Sequence, residues 1–293
     1  MPRLLSPLSA ALLTATFLTA APALAEVPKV VTDVAPVGSL AALVLGDLGT
    51  PEVLVGNGSD PHDYQLRPSQ MGALSGADLV IWVGPELTPW LSAIVADAGG
   101  GDSLPLLSNP ATPVRQFPDG TPDPHAWLDP DIAAIWTGVI ADALAAKDPD
   151  HAATYRANAQ AARGRLMALT AEGQAILAPV KAPIAVGHDA FGYFAQRFGL
   201  TISGAIAEGD AHAPGAAHLT ELRAELERGT TTCLFPEAGA DPRQAEQLVE
   251  GTPARLGQPL DPEALMIPRG PDLYAALIRG LAAAIADCAA PRG

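Results

Sequence analysis

Three histidines of the chain stand in short motifs whose chemistry suits a metal ion. His62 and His125 each follow an Asp-Pro pair, and His188 follows Gly187 in a Gly-His-Asp run. A proline fixes its own φ angle and has no amide donor, so it gives each Asp-Pro-His tripeptide a stiff, non-helical approach to the histidine. Neutral imidazoles that meet from distant loops are ligands that zinc, a borderline-soft cation, prefers. The leading hypothesis is a zinc site built from His62, His125 and His188.

The first 25 residues have the composition of a cleaved export signal. Arg3 precedes an apolar run that ends in Ala23-Leu24-Ala25, a small-x-small cleavage pattern. Glu26 is therefore expected to begin the mature chain, in the periplasm. The alternative is an uncleaved membrane anchor, which Pro7 and Pro22 disfavour because a span needs about 20 strongly apolar residues.

Cys233 and Cys288 are the two cysteines of the chain. An even pair in an exported protein favours one disulfide, which would stabilise the fold by about 4 kcal/mol in the chain-entropy model. Two buried free thiols and a cysteine-containing metal site are the alternatives. Neither cysteine has a second Cys or His at ligand spacing, so we expect the disulfide.

The overall composition is that of a folded protein without a nucleic-acid partner. The chain is 48% hydrophobic and 17% charged, which is typical of globular proteins. Its 293 residues suit two domains of ordinary size. The formal net charge is −15, and phosphate backbones are bound by clustered Lys and Arg, so nucleic acid is not expected to bind.

Short β-rich runs alternate with helix-like segments along the chain. The runs that predict strands lie at residues 29–34, 52–55, 79–83, 183–186 and 231–235. Helical segments are predicted at residues 39–48 and 132–146. This alternation is typical of mostly parallel sheets flanked by helices, and therefore of the α/β class.

A long helix is predicted over residues 148–178, between two such halves. Asp148 suits its N-cap and Pro149 its first turn. Apolar side chains recur at four- and three-residue steps, with Gly173 in one place of the stripe: Tyr155, Ala159, Ala162, Leu166, Leu169 and Ile176. About 30 helical residues extend about 45 Å, which indicates a stiff connection.

This helix divides the mature chain into an N-terminal lobe, residues 26–147, and a C-terminal lobe, residues 179–293. Ligands of open α/β sheets collect beyond the carboxyl ends of the strands. The cleft between the lobes is therefore the expected position of the metal site.

Three longer motifs resemble those of a known family. They are His-Asp-Tyr-x-Leu-Arg-Pro-Ser at residues 62–69, Asp-Pro-His-Ala-Trp-Leu-Asp-Pro at residues 123–130, and His-Asp-Ala-Phe-Gly-Tyr-Phe at residues 188–194. In this order they resemble the ZnuA-like zinc-binding proteins of bacterial ABC importers, over nearly all of the mature chain. The resemblance implies two α/β lobes joined by a rigid helix, one Zn(II) per chain between them, and delivery of the ion to an ABC permease of the inner membrane.

The resemblance also implies a set of metal ligands. The three family histidines fall on His62, His125 and His188, and the fourth ligand, an aspartate of the C-terminal lobe, aligns with Asp261. Glu237 or a water molecule is the alternative at that fourth position. A histidine at the third position favours zinc over manganese, because imidazole is softer than carboxylate. Ordinary imidazoles would take up protons and weaken zinc binding below roughly pH 6.

Other residues near the motifs have less certain roles. Asp189 is a candidate hydrogen-bond acceptor for a ligand imidazole. His212 and His218 either form a weaker auxiliary metal site or are simply solvated, and His151 is expected to be a polar or hydrogen-bonded residue without a ligand role. The aromatic residues expected to wall the site are Trp127, Phe191 and Tyr193.

Two other function classes are compatible with the same histidines. A zinc-dependent hydrolase would keep water at the fourth position and need a general base nearby. An adhesin or a periplasmic metal chaperone could use the same fold. The expected partner is the permease, with a periplasmic zinc chaperone as a further candidate, and the protein is expected to act as a monomer without catalysing a reaction.

Overall fold

The computed structural model describes residues 26–56, 58–97, 102–209 and 214–291. The expected export signal lies outside these residues. The described chain forms two α/β lobes, each with a parallel sheet flanked by helices, which confirms the predicted fold class. Within this part of the chain, no helix has both the length and the apolar character needed to cross a membrane.

The N-terminal lobe contains a parallel sheet with the strand order β2-β1-β3-β4. The strands are β1 (Val30–Thr32), β2 (Glu52–Val53), β3 (Leu79–Trp82) and β4 (Asp102–Pro105). The helices of the lobe are α1 (Ala35–Leu45), α2 (Pro68–Ser75), α3 (Pro89–Asp97) and α4 (Pro130–Lys147). All residues of β1 and β3 are buried, because helices cover both faces of a parallel sheet.

A long helix, α5 (Ala152–Leu177), follows α4 and contacts both lobes. A single 3-10 turn precedes it, and the Asp148 side chain accepts the His151 amide and, at 2.7 Å, the Tyr155 hydroxyl. The buried stripe matches the predicted spacing, except that Leu177 is buried and Ile176 only half-buried. A Cβ at Gly173 would lie 2.5 Å from a ring atom of Phe198, so this glycine lets the C-terminal lobe pack closely on the helix.

The C-terminal lobe repeats the parallel arrangement, with the strand order β6-β5-β7-β8. The strands are β5 (Ile184–His188), β6 (Ile202–Ala207), β7 (Cys233–Phe235) and β8 (Arg255–Leu256). The helices are α6 (Gly192–Phe198), α7 (Ala216–Glu227), α8 (Arg243–Val249) and α9 (Leu273–Ala289). In both sheets the central strands carry the most continuous apolar sequence.

One apolar core extends through both lobes, since buried side chains of α1, α4, α5, α6 and α9 contact one another in a single cluster. Polar contacts fix α9 against the N-terminal lobe: the Tyr274 amide donates to Ser39 Oγ at 3.1 Å. The Arg269 guanidinium, just before α9, donates to the carbonyls of Val53 and Val55. The C-terminal segment is therefore part of the packing of both lobes.

An ion pair also joins the lobes. Arg197 of α6 binds both carboxylate oxygens of Asp129, at 2.7 and 2.9 Å, and Asp131 at 2.8 Å. Asp129 caps the first turn of α4, so the guanidinium connects the start of that helix to the C-terminal lobe. A bidentate, partly buried pair of this kind is stronger than an exposed one.

Cys233 and Cys288 form the expected disulfide, which links β7 to α9 across a separation of 55 residues. In the chain-entropy model, a loop of this size stabilises the fold by about 4 kcal/mol. We expect the double substitution of both cysteines by alanine to lower the unfolding free energy by about 3–5 kcal/mol in urea titrations of metal-free protein. A reducing agent should lower the unfolding free energy of the wild type by a comparable amount and leave that of the variant unchanged. A loss under about 1 kcal/mol in the variant would contradict this.

Candidate metal centre

The three histidines singled out by the sequence meet between the lobes. His62 lies in the loop between β2 and α2, His125 directly precedes the 3-10 turn Ala126–Leu128, and His188 is the last residue of β5. Their ring centroids are 5.7 Å apart for His62 and His125, 5.7 Å for His62 and His188, and 5.0 Å for His125 and His188. One ring nitrogen of each lies within 4.8 Å of the other two.

The two Asp-Pro-His tripeptides form the same local turn. Asp60 Oδ1 accepts the His62 amide at 2.8 Å, and Asp123 Oδ1 accepts the His125 amide at 3.0 Å. The intervening proline has no N–H, so the aspartate bonds the next available donor, two residues on. The tripeptide therefore fixes the backbone of the histidine without help from a metal ion.

Asp123 also orients the imidazole of His125. Its Oδ1 lies 2.9 Å from His125 Nδ1, and its Oδ2 binds Arg115 Nη1 at 2.7 Å. With Nδ1–H donating to the carboxylate, Nε2 is left with its lone pair. His125 is fully buried, and its Nε2 has no hydrogen-bond partner among the described residues. A buried, unpartnered nitrogen of this kind is suited to a metal ion.

Residues of the C-terminal lobe form hydrogen bonds to the segment that carries His125. The Tyr193 hydroxyl accepts the Arg115 amide at 2.7 Å and donates to the Asp123 carbonyl at 3.3 Å. Trp127 Nε1 donates to the Pro262 carbonyl at 2.8 Å, and its ring centroid lies 5.2 Å from that of His125. These side chains are buried and exclude water from one side of the histidines.

His188 is positioned by the end of its strand and by a neighbouring acid. It is 5% exposed, and its Nδ1 lies 3.3 Å from Glu237 Oε1. Glu237 lies two residues after the end of β7. A Cβ on Gly187 would lie 2.6 Å from the Glu237 amide nitrogen. Glycine is therefore required at this position for the backbone after β7 to approach His188.

Burial favours the neutral form of His62 and of His125. It lowers the pKa of His62 to about 3, with repulsion from the other two histidines adding to the effect. Burial also lowers the pKa of His125, against the opposing effect of its bond to Asp123. The sequence-based expectation of proton uptake near pH 6 assumed ordinary imidazoles, and for these two residues it does not hold. Neutral imidazoles are the form that binds a metal.

Carboxylates surround the histidines, and the sequence analysis overlooked a buried one, Glu263. Glu263 is 5% exposed, and burial, reinforced by the charge of Glu237, raises its pKa to about 8. Its carboxylate forms one possible ligand group with Asp60 and His62 and another with His188 and Glu237, each within 4.8 Å. The sequence feature that could have indicated its burial is the position of this acid between Pro262 and two apolar residues.

Asp261 occupies a different role in this geometry. Its two carboxylate oxygens accept the amides of Leu265 and Met266 at 2.8 and 3.0 Å, which closes the turn after β8. Asp261 is not part of the ligand groups found among the described residues. The structure thus brings together His62, His125 and His188 and leaves Asp261 beside them.

Among the described residues, Asp189 and His218 are not part of the possible ligand groups. Asp189 lines a groove of about 610 Å³ with Glu86 and Glu208, and burial raises its pKa. His218 Nε2 lies 2.8 Å from the Ala205 carbonyl, and its Nδ1 lies 3.4 Å from Glu208. His212 lies outside the described residues.

His151 is hydrogen-bonded to Asp148 and is not part of the ligand groups found among the described residues. Its Nδ1 lies 2.7 Å from Asp148 Oδ2, at the start of α5 and away from the three clustered histidines. The donor set between the lobes, three imidazoles with buried Nε2 atoms and nearby carboxylates, fits zinc better than a hard cation such as Mg²⁺.

Comparisons with known proteins agree with this chemistry. A family model for ZnuA, described as the periplasmic component A of a zinc-uptake complex, matches residues 30–288. The chain is 41% identical to the high-affinity zinc uptake system protein ZnuA of Paracoccus denitrificans, over 97% of this chain and 99% of that protein. It is 32% identical to the protein of the same name from Brucella abortus, over 88% and 91%.

A solved structure extends the likeness to three dimensions. A crystal structure of ZnuA matches with a TM-score of 0.80 and 26% identity, covering 90% of this chain and 100% of that one. The residues that the family model matches, 30–288, include both lobes and all three clustered histidines. The chain therefore belongs to the ZnuA family of zinc-uptake components.

Proposed function

We propose that this protein captures Zn(II) in the periplasm and delivers it to an ABC permease for high-affinity zinc uptake. The observation that carries the proposal is the convergence of His62, His125 and His188 from two lobes, with their Nε2 atoms buried. Membership of a zinc-uptake family supports the same conclusion. The family consists of substrate-binding transport proteins, and the chain is not an enzyme.

In this proposal one zinc ion per chain is bound by the Nε2 atoms of the three histidines. The ligand set distinguishes cations by softness and charge: imidazole suits zinc, whereas Mn²⁺ prefers carboxylate oxygens. A carboxylate of the C-terminal lobe completes the sphere, and Asp261 and Glu237 are the candidates that the sequence provides. A closed sphere leaves no position for the activated water that a zinc hydrolase needs.

The packing between the lobes supports capture with small movements. The bonds from Trp127 to Pro262 and from Arg197 to Asp129 join the lobes close to the histidines. Helix α5 packs against both lobes and adds a rigid connection. We therefore infer that zinc enters through local movement of the loop carrying His62, which is the least buried of the three histidines.

The finer features of the proposal concern location and partners. An amino-terminal export signal with cleavage before Glu26 would place the protein in the periplasm, where its family is described. There it would act as a monomer, load zinc directly or from a periplasmic chaperone, and dock on the permease. His212 and His218 would contribute at most a weak auxiliary site, because the ring of His218 already lies against Ala205 and Glu208.

Transport is tested by growth under zinc limitation. We expect deletion of the gene to stop growth in chelator-treated medium, with rescue by added zinc and the same defect when the permease gene is deleted. A plasmid copy with His151→Ala should restore growth, and a copy with His188→Ala should not. Full complementation by His188→Ala would argue against zinc delivery through this site.

Ligation is tested by zinc affinity. Mutation of a residue that only hydrogen-bonds to a metal ligand typically lowers metal affinity by about 10–100-fold. We expect His188→Ala to weaken zinc binding by more than this, because it removes a direct ligand. His151→Ala, which removes an imidazole outside the cluster, should stay within about threefold of wild type. Competition titration with a chelator on untagged protein measures both, and equal effects would contradict the assignment.

The low pKa of His62 predicts a pH effect on the metal-free protein. The unfolded chain takes up a proton at His62 near pH 6.5, whereas the folded chain does so only near pH 3. The contribution of His62 to stability is therefore complete above pH 6.5 and is lost as the pH falls through this window. Between pH 6 and pH 4 the wild type should lose stability faster than His62→Gln, by up to about 1 kcal/mol per pH unit in urea titrations. Parallel slopes would contradict the buried, neutral state of this imidazole.

A further inference from the structure

The peptide group that joins Pro61 to His62 is bound at both of its polar atoms. Asp60 Oδ1 accepts the His62 amide at 2.8 Å, and Trp90 Nε1 donates to the Pro61 carbonyl at 2.8 Å. Because a peptide group is planar, two bonds at its opposite ends fix its orientation. The backbone that carries the His62 imidazole therefore depends on a donor from another element, Trp90 of α3.

The matching peptide group before His125 is bound in a different way. There the Pro124 carbonyl accepts the Ala126 amide at 2.8 Å, from two residues farther along the same turn. The two Asp-Pro-His turns thus differ in the donor to the proline carbonyl, which is local at His125 and 29 residues away at His62. A bond from another helix can open while the turn itself persists, so His62 is the more easily displaced of the two histidines.

Trp90 also contacts the chain on the other side of His62. Its ring centroid lies 5.7 Å from that of Tyr64, two residues after the histidine. The Tyr64 hydroxyl accepts a hydrogen bond from Gln70 Nε2 of α2 at 2.9 Å, which holds that ring in turn. One side chain therefore contacts both the residue before His62 and the residue two positions after it.

The donor itself is fixed to the sheet of its own lobe. Thr88, directly before α3, is fully buried, and its amide donates to the Gly84 carbonyl at 3.1 Å. The preceding turn is tied to the end of β1, because the Asp33 carboxylate accepts the Val83 amide at 2.8 Å. Trp90 therefore offers the loop that carries His62 a donor in a set position.

The loop around His62 is more exposed than this anchor. Pro61 is buried, whereas Asp60, Asp63 and Gln65 are exposed. Segments whose side chains are mostly in solvent open locally at low cost in free energy. The bond at the Pro61 carbonyl is therefore placed to decide how often the loop opens.

We propose that Trp90 is a positioning residue for zinc capture: its bond to Pro61 holds His62 at the metal site, and loss of this bond lets the imidazole leave the ion. This inference rests on the proposed zinc-binding function. Trp90 does not touch the metal and acts through His62. One hydrogen bond changes an equilibrium by about threefold to tenfold, so it sets the rate of zinc exchange without deciding whether zinc binds.

The test removes the indole N–H and keeps an aromatic ring. Trp90→Phe keeps a ring beside Tyr64 and loses the donor to Pro61. The matched control is Trp82→Phe, which loses an indole bond to Ser103 Oγ at 2.9 Å in the apolar cluster against which Trp90 packs. Zinc release is timed after mixing with excess chelator, and urea unfolding of the metal-free proteins gives the stability of each variant.

We expect Trp90→Phe to release zinc about 3–10-fold faster than wild type, because the bound position of His62 loses one hydrogen bond. Trp82→Phe should release zinc within about twofold of wild type, whatever its stability. In His62→Ala protein, adding Trp90→Phe should change release by less than about twofold, because the residue that Trp90 positions is absent. Equal release from the two tryptophan variants, or an undiminished effect in the His62→Ala protein, would overturn the proposal.

A second measurement follows the loop itself, without zinc. Amide hydrogen exchange in the peptide that covers residues 58–66 should be about 3–10-fold faster in metal-free Trp90→Phe than in wild type, and unchanged in Trp82→Phe. Unchanged exchange in Trp90→Phe overturns the proposal, including where His62→Ala binds zinc too weakly to give a release rate. Wild-type protein that fails to bind zinc, or binds no better than His188→Ala, would instead refute the proposed function.

Discussion

The dry contact between the two lobes is the constraint on which the metal site depends. It places His188 against His62 and His125, which come from the other lobe, and it buries His125 and His188. A desolvated imidazole resists protonation, so the same contact that assembles the rings also favours the metal-binding form of His62 and His125. The bonds that cross it, such as Trp127 to Pro262, therefore act on geometry and protonation together.

The acids around the histidines differ in role because they differ in burial and in available donors. Asp123 is buried beside Arg115 and fixes the ring of His125. Asp261 accepts two backbone amides and closes a turn, whereas Glu263, two residues later, is buried among other acids, and burial raises the pKa of its carboxyl to about 8. Acids that are neighbours in sequence can therefore differ in burial and in hydrogen bonding, because each depends on the donors near its own position.

The sequence was sufficient to predict the α/β class, the long helix, the disulfide and the clustering of three histidines, because these follow from periodicity, pairing and motif chemistry. It did not predict β4, β6 and β8, which are edge strands with short or partly exposed sequences and no continuous apolar run. It also overlooked Glu263, because the burial of this residue depends on how distant segments pack around it. The protonation of His62 was misjudged for the same reason: burial is a property of the assembled lobes.

The attachment of α9 to the N-terminal lobe has a consequence for synthesis. Although each lobe has its own sheet, α1 of the first is covered by α9, which contributes Tyr274 to Ser39, and Cys288 lies near its end. A nascent chain emerging from its amino end therefore exposes the apolar surface of α1 until nearly the whole polypeptide has appeared. Domains commonly fold one by one as they emerge, but here the first half cannot complete its interior before the second arrives. The two lobes are therefore expected to fold together as one cooperative unit.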